Sequence, residues 1–119
     1  VVEDNKINQM ITRKILEKNK MICDVADNGE IAVEKARSQD FDLILMDIHM
    51  PGISGIEATE QIRLFDKEIP ILALTAVTID ENIDEFHEAG FNDIIPKPYK
   101  VEEFFQKIHN GLKQAKVFN

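Results

Sequence analysis

Short apolar runs alternate along this chain with longer segments whose apolar residues recur at helical spacing. The runs cover residues 1–2, 21–26, 43–46, 71–74 and 94–95, and each leads through a polar turn into an amphipathic stretch. The periodicity is clearest in the last segment, where Val101, Phe104, Phe105, Ile108 and Leu112 fall at i, i+3, i+4, i+7 and i+11 and make one stripe. Ile79, Ile83 and Phe86 mark a second helix, and Ile7, Ile11 and Ile15 a third. Asn28-Gly29 and Ala89-Gly90-Phe91-Asn92 supply turn punctuation, with Gly90 suited to ending a helix. Five βα units with short connections predict an α/β fold, a parallel sheet covered by helices on both faces. Leu43, Ile44, Leu45 and Met46 in unbroken sequence fit a central strand buried on both sides. Only two residues precede Glu3-Asp4, so the first strand is expected to be short or to begin upstream of Val1.

Composition narrows the class. A chain of 119 residues, 44% apolar and 30% charged, is expected to form one globular domain over residues 1–119. It has no apolar run near the roughly 18 residues that span a bilayer, and no signal peptide is visible, although the chain starts at Val1 rather than Met. Fourteen Lys and Arg against 22 Asp and Glu leave a formal charge of −8, which repels nucleic acid phosphates and anionic membranes and suits divalent cations and basic partners. The single cysteine, Cys23, cannot form an internal disulfide, fits a reducing compartment, and reads as a packed structural thiol.

The polar residues that end the runs carry the chemistry. The first run leads into Glu3-Asp4, the third into Asp47, the fourth into Thr75, and the fifth, after Pro96, into Lys97. All strands of a parallel sheet end at one edge, where open α/β sheets bind ligands, so these five residues are expected to converge. Three carboxylates in one pocket repel unless a cation or a raised pKa intervenes. Hard oxygen ligands of this kind suit Mg²⁺. A lysine and a threonine hydroxyl opposite the metal resemble an apparatus for holding a phosphoryl group, and a carboxylate can itself be the nucleophile and form an aspartyl phosphate. Taken singly, an Asp at a strand end is ordinarily a turn former or cap, and a Lys near a loop a solvated charge. It is the joint placement that points to chemistry.

The stretches VVEDN (1–5), LILMDIHMPGISG (43–55), LALTA (72–76) and KP (97–98) resemble the receiver domains of two-component signalling, over essentially the whole chain. That resemblance implies a flavodoxin-like, doubly wound sheet of five strands in the order 2-1-3-4-5. It implies that Asp47 accepts a phosphoryl group from a histidine kinase or histidine phosphotransfer protein, with Asp4 and Asp47 as Mg²⁺ ligands. Glu3 would act through a metal-bound water and His49 through its backbone carbonyl, while Thr75 and Lys97 would contact the phosphoryl oxygens. Ala76 matches a position where a small side chain leaves access to the site, and a cis Lys97–Pro98 bond is expected. Val77 and His49 flank the path of a hydrolytic water, and Val77 offers it no hydrogen bond, so loss of phosphate is expected to be slow. Such a domain is no conventional enzyme: it catalyses its own phosphorylation and slow dephosphorylation. A cytoplasmic location is implied, free or within a membrane-anchored kinase, with no nucleic acid or membrane contact by the domain. The Glu-Asp-Asn opening resembles receivers of hybrid histidine kinases. Partner binding and self-association are expected on the face of the fourth helix, fifth strand and fifth helix, roughly residues 79–112. One position departs from the family: Ile94 stands where many members carry a reorienting Tyr or Phe. His87 and His109 have no metal-ligand spacing and no expected role.

Other classes compete. A receiver-like interaction module that is never phosphorylated would be favoured by loss of Asp4, Asp47 or Lys97, all of which are present. A flavodoxin-like nucleotide binder needs a Ser/Thr/Gly-rich phosphate loop after the first strand, where this chain has Glu3-Asp4-Asn5-Lys6. A phosphatase of the haloacid-dehalogenase type needs a second Asp two residues after its nucleophile, where this chain has His49.

Overall fold

The computed structural model of the chain describes residues 1–48, 52–75, 86–96 and 100–117. Three strands, β1 (Ile44–Asp47), β2 (Ile71–Thr75) and β3 (Asp93–Pro96), pair in parallel in that order. They correspond to the third, fourth and fifth apolar runs. The first two runs take part through one residue each: Val2 bridges Met46 on one side and Ala26 on the other, both in parallel. Val2 N–H donates to Leu45 O at 2.7 Å and Asp47 N–H to Val2 O at 3.0 Å, while Glu3 N–H reaches Ala26 O at 3.1 Å. The order across the sheet is therefore second run, first run, β1, β2, β3, which is the 2-1-3-4-5 order.

The second run does not form the strand expected over residues 21–26. Its pairing with the first run runs through its end: Asp24 O accepts from the Val1 amino group at 2.9 Å and Ala26 N–H donates to Val1 O at 2.9 Å, while Met21 N–H closes onto Leu16 O at 3.1 Å. Ile22 is left fully exposed. Cys23 is half-buried, and burial pushes its thiol pKa up, which fits an inert packed thiol.

Helices α1 (Lys6–Lys18), α2 (Gly29–Ser38) and α3 (Gly55–Arg63) and a last helix (Val101–Val117) cover the sheet. Strand side chains alternate between two cores, as a pleat requires. Leu45, Leu72, Leu74 and Ile95 pack with Leu16 of α1 and with Phe104 and Ile108 of the last helix. Ile44, Met46, Ala73 and Ile94 pack with Ala32, Val33, Ala58, Ile62 and Phe86 on the other face. Ile44, Leu45 and Met46 are thus buried on both sides, with Leu43 partly buried before them, and full burial of side chains such as Phe104 and Met46 contributes roughly 2–3 kcal/mol each. Phe86 lies in a helical turn at 86–89 that ends at Gly90, whose φ of +112° favours glycine. Arg63 Nε and Nη2 donate to Gly90 O at 3.0 and 2.8 Å and tie α3 to that turn.

One helical face differs from expectation. Ile7 and Ile11 are 69% and 50% exposed, whereas Gln9, Thr12 and Leu16 are buried. The phase of α1 is set by its start. Val2 is locked in the sheet, and Asn5 Oδ1 caps the helix by accepting from Ile7 and Asn8 N–H at 2.9 and 3.1 Å. From that start the 9-12-16 face meets the sheet. In the last helix, Phe104 and Ile108 are buried as expected, but Val101 is 50% exposed. Ile79 and Ile83 lie outside the described residues.

Candidate functional site

Glu3 and Asp4 leave the sheet beside the carboxyl end of β1 because Val2 is bridged in parallel to Ala26 on one side and Met46 on the other. Asp47 ends β1. The carboxylate oxygens of Glu3, Asp4 and Asp47 lie within 4.8 Å of one another. Glu3 and Asp47 are buried, at 3% and 6% exposure, and Asp4 is exposed, so the cluster opens to solvent on one side. Exposed acidic groups gather commonly on protein surfaces; two buried carboxylates do not, because each loses hydration that something must replace. Three hard oxygen donors with one open side are the kind of set that a divalent cation takes, keeping part of its water shell.

The backbone around the cluster is held from several directions. Asn5 N–H donates to Glu3 Oε1 at 3.2 Å. Gln9 Nε2 donates to Glu3 O and, at 2.8 Å, to Asp27 Oδ1. Lys6 Nζ also reaches Asp27, at 3.3 Å. The hydrogen bonds from Gln9 and then Lys6 hold the Asp27 carboxyl below its ordinary pKa. On the far side of Asp47, the start of α3 abuts the end of β1. Gly55 N–H donates to Ile48 O at 3.0 Å, and Ser54 Oγ caps the helix by accepting from Glu57 N–H at 3.2 Å.

Thr75 ends β2 at the same sheet edge. Asp47 is in register with Leu74, one residue before Thr75, and Thr75 is in register with Pro96, which precedes Lys97 in the chain. The structure thus brings together the Glu3, Asp4 and Asp47 side chains and places the Thr75 backbone beside them. His49, Ala76, Val77, Lys97 and the Lys97–Pro98 bond lie outside the described residues. Ile94 is buried in the core shared with Phe86 and Ala73. Gln9 was not singled out in the sequence. Its signal is its place at i, with Thr12 and Leu16 at i+3 and i+7, a polar start to an otherwise inward face that the three isoleucines obscure.

A family model for the response regulator receiver domain matches residues 1–109. Over 112 residues the chain is 38% identical to the chemotaxis protein CheY of Halobacterium salinarum, covering 94% of this chain and 93% of that protein. It is 44% identical over 101 residues to the autoinducer 2 sensor kinase/phosphatase LuxQ of Vibrio parahaemolyticus, covering 84% of this chain but 12% of LuxQ. The chain spans between 15% and 48% of the length of three further curated relatives. Among solved structures it is similar to the receiver domain of the sensor histidine kinase PA1611 of Pseudomonas aeruginosa, with 32% identity and a TM-score of 0.87 over 94% of this chain and 93% of that one. That receiver holds a magnesium ion coordinated in its active site cleft. With sheet order, acidic edge and family match in agreement, the chain belongs to the response regulator receiver domains, the phosphoacceptor switches of two-component signalling.

Proposed function

We propose that residues 1–119 form one receiver domain in which Asp47 accepts a phosphoryl group from the phosphohistidine of a kinase or phosphotransfer protein. The observation that carries this reading is the cluster of Glu3, Asp4 and Asp47, two of its three carboxylates buried, with oxygens within 4.8 Å of one another at the carboxyl edge of the sheet. In the transfer, the N–P bond of the donor breaks, an O–P bond to Asp47 forms, and the imidazole keeps the electron pair of the broken bond. Asp4 and Asp47 would hold Mg²⁺ directly, Glu3 through a water, and the His49 carbonyl would complete the protein's contribution. When bound, Mg²⁺ supplies positive charge against both the carboxylates and the phosphoryl oxygens. The Thr75 hydroxyl donates to those oxygens and the Lys97 ammonium offsets their charge. The domain promotes its own phosphorylation and slow dephosphorylation and is otherwise no enzyme.

Output passes through the face of residues 79–112, where Phe86, His87, Phe91, Asp93, Ile94 and Lys107 line a cleft of about 220 Å³. Partner binding or self-association there is the reading its position supports. Ile94 has neither a ring to reorient nor a hydroxyl, so the shift between states is expected to be small. Nucleic acid and anionic membranes are disfavoured partners for a domain of charge −8, and no helix among the described residues is long and apolar enough to cross a membrane. A cytoplasmic location, free or within a membrane-anchored kinase, goes with this reading.

Beryllofluoride, a phosphoryl mimic, tests the site without a donor protein. In fluorine NMR, bound resonances are expected with the parent only when Mg²⁺ is present, and none with Asp47→Ala. Bound resonances that persist in Asp47→Ala would place the anion elsewhere. Their absence from the parent at saturating Mg²⁺ would favour an interaction module that is not phosphorylated.

A further inference from the structure

Gln9 lies on the inner face of α1 with 8% of its surface exposed, one of five buried polar or charged residues among those described. A buried primary amide is costly unless its two N–H donors are used. Here both are used, on Glu3 O and on Asp27 Oδ1. The Glu3 carbonyl belongs to the peptide that joins Glu3 to Asp4, so the Gln9 amide grips the plane from which both carboxylates of the acidic pair are hung. The same residue's backbone N–H bonds Asn5 O at 2.9 Å, and Asn5 N–H bonds Glu3 Oε1 at 3.2 Å. Glu3 is thereby held at its carbonyl, at its carboxylate and, through Ala26, at its N–H. Such restraint has work to do, because three carboxylates within 4.8 Å push the 3–4 peptide away from Asp47.

We infer that Gln9 is a positioning residue for the cation site: its side-chain amide fixes the Glu3–Asp4 peptide, and Mg²⁺ affinity depends on that amide donating to the Glu3 carbonyl. Residues one step behind metal ligands commonly change affinity by about 10–100-fold when replaced. The inference rests on the reading of Glu3, Asp4 and Asp47 as a Mg²⁺ site. Asp27 anchors the far side of Gln9, but it is half-exposed and also paired with Lys6, so its loss matters less.

Two replacements separate positioning from charge. Gln9→Met keeps length and removes donation. Gln9→Glu keeps shape, cannot donate when ionised, and adds negative charge beside a cation site. Charge alone makes Gln9→Glu bind Mg²⁺ more tightly; positioning makes it bind more weakly. By calorimetric titration with Mg²⁺ at pH 8, both variants are expected to show a dissociation constant raised about tenfold, and Asp27→Asn a rise below about threefold. Far-UV circular dichroism and melting of the metal-free proteins establish that each is folded, and if Gln9→Met does not fold, Gln9→Glu alone decides. An unchanged or tighter constant in Gln9→Glu overturns the inference. A parent that does not bind Mg²⁺ overturns the cation site itself and the inference with it, whereas a binding parent with equally binding variants overturns only the role of Gln9.

Discussion

Gly55→Ala is expected to cost about 3 kcal/mol of stability and to lower the melting temperature by roughly 10 °C, because it drives a methyl group into the backbone that carries Asp47. A Cβ at residue 55 would lie 2.2 Å from Asp47 O, 2.9 Å from Ile48 Cα and 3.0 Å from Asp47 C. These are main-chain atoms at the end of a buried strand, with no rotamer to give way. Either α3 moves off β1, breaking the Gly55 N–H bond to Ile48 O and disturbing Ala58 and Ile62 in the core, or the end of β1 moves and takes Asp47 with it. A folded Gly55→Ala protein should therefore also bind Mg²⁺ less well. Gly111→Ala is the contrast. The nearest atom to its new methyl is Leu43 Cδ1 at 3.1 Å, the tip of a flexible side chain. The gain of alanine over glycine inside a helix opposes that contact, so stability should change by less than about 1 kcal/mol. A Gly55→Ala domain melting within 3 °C of the parent would show that α3 can leave β1 at little cost.

Removing a carboxylate from the acidic cluster should stabilise the metal-free domain and abolish most of its response to Mg²⁺. Asp47→Asn takes away a buried charge that faces two others and is expected to gain roughly 1 kcal/mol without metal. Asp4→Ala should gain less, since Asp4 is exposed and its repulsion is screened by solvent. With Mg²⁺ at a hundredfold its dissociation constant, the parent should gain about 2.7 kcal/mol by mass action, and both variants only a fraction of that. The rank order then inverts between EDTA and Mg²⁺, a signature that a purely structural role for these residues does not give. Thermal melts of the three proteins in the two buffers check it. Parent stability equal to or above that of both variants in EDTA contradicts the repulsion.

The sequence made the sheet legible because parallel strands buried on both sides need unbroken apolar runs. Residues 44–46, 71–74 and 94–95 each lie within a strand of the structure, and Leu43 stands just before the first of them. It made the acidic edge legible because a parallel sheet collects strand ends at one side, which is where Glu3, Asp4 and Asp47 meet. It failed where apolar content overstates how far a run pairs. Residues 21–26 read as a strand but bond to the first run through Asp24 and Ala26, while Met21 N–H turns back onto Leu16. It failed again on α1, where Ile7 and Ile11 were the strongest signal and yet face solvent. Counting apolar residues cannot set a helix's phase when its inner face begins with an amide; the cap at Asn5 and the locked Val2 set it instead. Gln9 was obscured by the same isoleucines. The close approach at Gly55 is a backbone contact between residues eight apart, which no periodicity reports.

The central claim is that Asp47 is the residue that carries the phosphoryl group, and acetyl phosphate tests it most directly. The domain is incubated with the donor, with and without Mg²⁺, and intact-protein and peptide mass spectrometry locate any adduct. One phosphoryl group on the parent is predicted, on the peptide that contains Asp47, only with Mg²⁺, and none on Asp47→Ala. Adduct formation undiminished in Asp47→Ala, or equal with and without Mg²⁺, would contradict it.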